Sequence, residues 1–173
     1  MFALYGLLTA FVFAIIPLVG ISTSLISVAG AAYGARMFGK IRVAHRFSVL
    51  FGMAIALVTS ALTFIFAHQI ALIFSYSADS AHLAPEIALF LATMCFFYPF
   101  VPPGIMSGSI FQATGKGLTS LMITVLRNLA FIAVFAYLFG IVLGFGEHGV
   151  WWGIVAGDII GGTVAYLWAR YYI

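Results

Sequence analysis

Apolar residues gather in five long runs along this chain, about 2–36, 47–67, 84–113, 118–143 and 149–170, separated by short polar stretches. A helix needs roughly 20 mostly apolar residues to cross a hydrocarbon core of about 30 Å. Each run is long enough, so the pattern predicts an all-α polytopic membrane protein with about five transmembrane helices. The second run, Phe47 to Ala67, is regular, and Ile70 to Ser75 reads as a short interfacial segment before the polar loop Ser77 to His82. The first run is too long for a plain span. Met1 to Ala35 carries no charged side chain and would measure about 52 Å as one helix. Pro17, Gly20 and Gly30 predict that it kinks or tilts, with ends projecting into the interfaces.

The third run is interrupted by Tyr98-Pro99-Phe100-Val101-Pro102-Pro103-Gly104. Proline removes a backbone donor and crowds the preceding turn. Inside a bilayer the freed backbone groups must find partners in protein or in a water-filled cavity. This stretch is therefore expected to face the protein interior or a cavity, either as a plain structural kink or as part of a binding surface. Gly115-Lys116-Gly117 forms a tight turn, after which Thr119 or Ser120 could cap the fourth helix. Gly144 to Gly149 turns the chain again, and Trp151 and Trp152 read as interfacial anchors, as do Tyr171 and Tyr172 at the other end. In the last run Gly149, Gly153, Gly157 and Gly161 recur every four residues and so share one helix face, with Gly162 beside them. Such a bare face lets another helix approach closely, without saying which one.

Charge then orients the array. When the five runs are threaded back and forth, Arg36, Lys40, Arg42 and Arg46 fall in the first connection, Lys116 in the third and Arg170 at the end of the last run. Arg127 lies inside the fourth run, in the half nearer that side. The opposite connections carry Asp79, His82 and Glu147, with Glu86 just inside the third run, and hold no Lys or Arg. Basic residues are retained on the cytoplasmic side. The expected topology is multi-pass in the cell membrane, with residue 1 outside and residue 173 in the cytoplasm.

Composition narrows the function classes. The chain has 173 residues, of which 65% are hydrophobic and 6% charged, far below the roughly 25% charged residues of soluble domains. The net charge of +3 is topology information, and nucleic-acid binding is a poor reading of so few, clustered basic residues. Met1 to Leu18 lacks a basic start and its apolar run continues to Ala35, unlike a signal peptide. The single cysteine, Cys95, cannot form an internal disulfide and reads as a packed small residue. His45, His68, His82 and His148 are dispersed, and none has metal-ligand spacing on one helix, so no metal or cofactor is expected. Gly-x-Ser-x-Gly, Walker and HExxH motifs are absent, which argues against an enzyme.

Charges within a span are costly and mark structure or function. Two stand out. Asp158 lies about 14 Å into the last helix, near the membrane midplane. Arg127 lies a similar distance into the fourth. They could form a buried ion pair that fixes two helices. Alternatively Asp158 could line a cavity and bind a proton or cation, with Arg127 snorkelling to the interface. Glu86 is expected to be solvated. Phe96, Phe97 and Tyr98 could line an apolar pocket or simply pack.

Three strings then carry a resemblance: Ile16-Pro17-Leu18-Val19-Gly20-Ile21-Ser22 continuing through Val28 to Arg36, Ser107 to Gly117 with Gln112-Ala113-Thr114-Gly115, and Gly149-Val150-Trp151-Trp152-Gly153 leading to Asp158. In order and spacing they resemble the C-terminal half of multidrug and toxic compound extrusion (MATE) transporters. The resemblance covers essentially the whole chain. It implies two six-helix lobes in the family plan, with residues 1–173 forming a partial lobe, roughly helices eight to twelve. It further implies a missing N-terminal lobe as partner and a chain inactive alone.

The resemblance also implies efflux of a small organic cation or amphipathic compound by antiport with Na⁺ or H⁺. The family's coupling carboxylates lie in the first lobe and on its seventh and tenth helices. The helix matching the tenth offers only Glu86, which leaves Asp158 as the midplane carboxylate. Asp158, Arg127, Tyr98, Pro99, Pro102 and Gln112 are the candidates near the cavity or the moving parts, and Gly149, Gly153, Gly157 and Gly161 are the packing candidates. Two alternatives remain: a lipid or lipid-linked oligosaccharide flippase of the same superfamily, and a non-transporting membrane subunit.

Overall fold

A computed structural model describes residues 2–74 and 84–173, with side chains placed for 15–72 and 84–173. The polar loop with Asp79 and His82 lies outside the described residues. The helices are α1 (Phe2–Gly34), α2 (Phe38–Ile65), α3 (Ala67–Phe74), α4 (Ala84–Met94), α5 (Val101–Ala113), α6 (Gly117–Val125), α7 (Ile132–Tyr137) and α8 (Gly146–Tyr172). A 3₁₀ turn at Tyr98–Phe100 joins α4 to α5, and π turns at Leu126–Phe131 and Leu138–Val142 flank α7. Among the described residues five stretches are long and apolar enough to cross a membrane: Ile15–Gly34, Phe38–Ile65, Ala84–Ala113, Gly117–Val142 and Gly146–Tyr172. The fold is an all-helical, multi-pass membrane array.

Two helix starts differ from the hydropathy pattern. α2 begins at Phe38, so Lys40, Arg42 and Arg46 ride on its first turns and do not form a loop. Lys and Arg are good helix formers, and hydropathy registers only their charge. The turn before α2 is a Schellman closure, with Arg36 N–H to Tyr33 O at 3.0 Å and Met37 N–H to Ala32 O at 2.8 Å. Arg36 holds the left-handed conformation there, with φ 57°. The same closure ends α5, where Gly115 takes φ 78° and Lys116 N–H reaches Phe111 O at 2.8 Å. α6 starts directly at Gly117, and neither Thr119 nor Ser120 caps it. α8 likewise starts at Gly146, ahead of the glycine stripe. Of the interfacial segment expected at Ile70–Ser75, Ile70 to Phe74 is the end of α3, and Ser75 lies outside the described residues.

α5 is the hub. It is buried nearly all round, from Val101 and Pro102 through Met106, Ser107, Ile110 and Phe111. A helix without a polar face belongs in the interior. One apolar cluster joins Leu18, Ala56, Met94, Tyr98, Val101 and Val155, and another joins Leu25, Ala29, Ile41, Val49, Met106 and Ile110. Polar side chains tie α5 to its neighbours at successive depths. Ser22 and Ser109 hydroxyls meet at 2.9 Å, and Gln112 Nε2 donates to Ser120 Oγ at 3.1 Å. Large apolar side chains such as Phe47, Leu57, Leu62, Leu129 and Ile141 point outward, as a lipid-facing surface requires.

Candidate functional site

The broken third span comes first because it sets the height of everything beside it. Pro99 has no N–H, so the carbonyl of Cys95, four residues back, lacks its helical partner. Ser60 on α2 donates its hydroxyl to that oxygen at 2.6 Å. The carbonyl of Tyr98, opposite Pro102, takes the Val101 N–H instead. Tyr98 itself is buried against Phe97 and the surrounding core, and Pro102 packs on Gly52. Cys95 is buried as a packed residue, its Sγ 3.2 Å from Leu91 O, and Phe96 is exposed. The expected kink is thus an internal joint, with Pro99 and Pro102 placed between helices.

The glycine stripe of α8 meets the fourth span. A Cβ at Gly153 would lie 2.5 Å from Ala136 Cα, and one at Gly157 would lie 2.7 Å from Ile132 Cα. At Gly149 it would run into the Phe139 carbonyl. Only hydrogen fits at these positions, so the backbones touch. Contact positions on the fourth span also recur about every four residues: Arg127, Ile132, Ala136, Phe139. In a uniform α-helix of 3.6 residues per turn, a four-residue repeat drifts round the axis. The π turns, with Ile132 N–H bonded to Arg127 O and Leu143 N–H to Leu138 O, take up extra residues and counter that drift.

At the Gly161 end of this stripe the Arg127 side chain lies between two glycines. A Cβ at Gly161 would sit 2.7 Å from Arg127 Cγ, and one at Gly104 would collide with its guanidinium. Through this gap Arg127 Nη1 donates to Val101 O at 3.3 Å and lies 3.7 Å from Asp158 Oδ1. Asp158 is near the middle of α8, its side chain 1% exposed, and neither carboxylate oxygen has a hydrogen-bond partner. Arg127 therefore does not snorkel; its side chain is 12% exposed and turned into the lobe.

Burying an ionised carboxylate without hydrogen bonds is costly, and an ion pair offsets that cost fully only in close geometry. At 3.7 Å the pair has charge contact and no hydrogen bond. Such a carboxylate can be relieved by a proton, by a cation, or by a guanidinium that leaves Val101 O and closes on it. Among the described residues no group of three His, Cys, Asp or Glu side chains is arranged to hold a metal.

The other candidates are apart from this pair. Gln112 holds the α5–α6 turn through Ser120. Glu86 is exposed in the first turn of α4. Trp151 is half-buried against Phe90 and His148, and Trp152 is exposed beside Phe96. Tyr171 is exposed, and Tyr172 stacks on Phe111 with Lys116 Nζ 4.1 Å from its ring.

Sequence reasoning missed His45. It is 2% exposed, its Nε2 is 3.2 Å from Ser107 Oγ, and its ring stacks on Tyr166 at 5.4 Å. Ser107 Oγ in turn donates to Pro103 O at 2.6 Å. The signal was there: Ile41, His45, Val49, Gly52, Ala56 and Ser60 follow one helical face.

Among the described residues, five spans around a proline-broken hub, with a buried charge pair, define a polytopic helical membrane protein of the kind that builds transporter lobes. The family described as MatE matches residues 3–143, and the chain belongs to that family. Solved structures agree. An inward-facing conformation of a multidrug resistance MATE family transporter of the MOP superfamily is 32% identical, with a TM-score of 0.92 over 96% of this chain and 38% of its own. An outward-facing conformation of such a transporter is also 32% identical, with 0.93 over 98% and 38%. A MOP superfamily transporter from Pyrococcus furiosus Vc1, described as having a binding pocket of reverse polarity that suggests a different function, gives 0.94 at 32% identity over 98% and 38%. The chain spans 38% of the length of these structures. The comparison with curated proteins gave no match.

Proposed function

We propose that residues 1–173 form part of one lobe of a secondary transporter that exports cationic or amphipathic compounds in exchange for Na⁺ or H⁺. The observation that carries this reading is Asp158: a midspan carboxylate, buried, with both oxygens unpartnered and a guanidinium just out of hydrogen-bond range. Asp158 is the ion-coupling group, and Arg127 is its alternative partner. When the carboxylate takes a proton or Na⁺, Arg127 stays on Val101 O; when it releases the ion, Arg127 closes on it. The paired state blocks nothing in the bilayer by itself, so coupling requires the other lobe, and the chain alone is inactive. The near-equal likeness to inward- and outward-facing structures favours a lobe that moves as a rigid body. The basic ends of the spans face the cytoplasm in this reading, and the bundle sits in the cell membrane.

The test is ion-driven dye efflux by the intact transporter carrying Asp158→Asn, with dye binding measured in parallel. Efflux driven by a Na⁺ or H⁺ gradient is expected to vanish while binding persists. Undiminished gradient-driven efflux would rule out Asp158 as the coupling group.

A further inference from the structure

At the Arg-rich end of the bundle, α2 and α8 stand apart over α5, and the groove between them has two different halves. The outer half, about 300 Å³, is lined by Gly39, Arg42, His45, Arg46, Tyr166 and Arg170. Arg42 and Arg46 are one turn apart on α2, and Arg170 approaches from α8. The inner half, about 420 Å³, is lined by Val49, Leu50, Met53, Phe100 and Pro103, with Thr163 at its side. Arg46, Tyr166 and Arg170 border both halves, so the two are continuous. From Arg46 to Met53 the apolar half runs about 10 Å along α2 toward the membrane interior.

Arg46 and Arg170 have no acidic partner among the described residues. The sequence has four Asp and Glu side chains. Glu86 and Glu147 are at the far ends of their spans, Asp158 is turned to Arg127, and Asp79 lies outside the described residues. Arg42 Nη2 is taken up, donating to Ile173 O at 2.6 Å, whereas Arg46 and Arg170 form no ion pair among the described residues. The back wall is fixed, because His45 is held by Ser107 and stacked on Tyr166.

We propose that this groove binds an anionic phospholipid, with its phosphate between Arg46 and Arg170 and one acyl chain along Val49, Met53 and Pro103. Guanidinium forks match phosphate oxygens in pairs. Basic pockets between spans at the level of the headgroups suit such lipids. A soluble phosphate would satisfy the arginines and leave the apolar half without a purpose. The proposal stands whether or not Asp158 couples transport.

The test is native mass spectrometry of the intact, delipidated protein with dioleoyl phosphatidylglycerol or dioleoyl phosphatidylcholine. Phosphatidylglycerol is expected to bind about tenfold or more tighter, from roughly 1 kcal/mol per basic residue. Arg46→Gln with Arg170→Gln should abolish that preference. Met53→Trp, which fills the apolar half and leaves every charge, should weaken phosphatidylglycerol binding too. Arg36→Gln, outside the groove, should not. Equal binding of the two lipids, or a preference that survives the double arginine change, would overturn the proposal. So would displacement of the lipid by millimolar inorganic phosphate, or indifference to Met53→Trp.

Discussion

Gly104 makes the space through which the Arg127 guanidinium passes toward Asp158. A methyl group there would occupy the position of Nη1, and the nearest obstacles are all at the far end of a flexible side chain. Gly153 is the contrasting case, since its obstacles are the backbone atoms of Phe135 and Ala136 at 2.5 Å. Overpacking typically costs about 1–3 kcal/mol, and more where nothing can yield. Gly153→Ala is therefore expected to lower thermal stability in detergent by overpacking alone, with the Arg127–Asp158 pair left in place. Gly104→Ala should instead displace Arg127 and leave Asp158 without its counter-charge. The checks are melting curves for both variants, and the reactivity of Asp158 toward a hydrophobic carbodiimide, which should rise only in Gly104→Ala.

How much of this was legible beforehand depends on the kind of information each feature needs. The spans follow from run length, and the glycine register follows from counting fours. The partner of that stripe does not, because a bare face says only that something comes close. The π turns that keep Arg127, Ile132 and Ala136 facing it arise from the packing itself. Arg127 and Asp158 were each visible as costly midspan charges, and their separation needed the helix starts. His45 was hidden because charge, taken as the mark of a loop, outweighed the helical spacing of Ile41, His45 and Val49. Gln112, placed near moving parts by resemblance, is bonded within a turn.

The loose pairing of Arg127 with Asp158 makes a prediction about energetics. Removing one member of a buried ion pair typically costs about 3–5 kcal/mol, whereas replacing both by apolar groups is often neutral. Arg127→Met should therefore be strongly destabilising, because it strands a carboxylate that already lacks hydrogen bonds. Asp158→Leu combined with Arg127→Met should recover most of the loss, giving a coupling of about 2 kcal/mol or more in a double-mutant cycle of unfolding free energies. Additive effects would show that the two groups do not sense each other.

Ser60 and Pro99 should be coupled through an atom that belongs to neither. Pro99 leaves the Cys95 carbonyl without a helical donor, and the Ser60 hydroxyl supplies one at 2.6 Å. Leaving a buried acceptor unsatisfied costs about 1–3 kcal/mol. Ser60→Ala should thus be destabilising by about that amount in the native background. With Pro99→Ala the residue at 99 regains its N–H, and Ser60→Ala should then cost much less. Denaturation of the four proteins measures the difference directly, and an equal Ser60→Ala cost in both backgrounds would exclude the joint as described.

The turn at Gly115 and the start of α8 should lie on opposite sides of the membrane. The α6 to α7 stretch between them, Gly117–Val142 with its π turns, is long and apolar enough to cross once. Lys116 at one end is exposed, as is Glu147 at the other. Basic residues favour the cytoplasmic side, and acidic ones contribute little to orientation. The native Cys95 is buried, so new cysteines can be read against a low background. In intact cells Glu147→Cys should react with a membrane-impermeant maleimide, and Lys116→Cys should react only after the cells are opened. The reverse labelling pattern would invert the array, put Arg42, Arg46 and Arg170 on the outer surface, and move the proposed lipid groove to the outer leaflet.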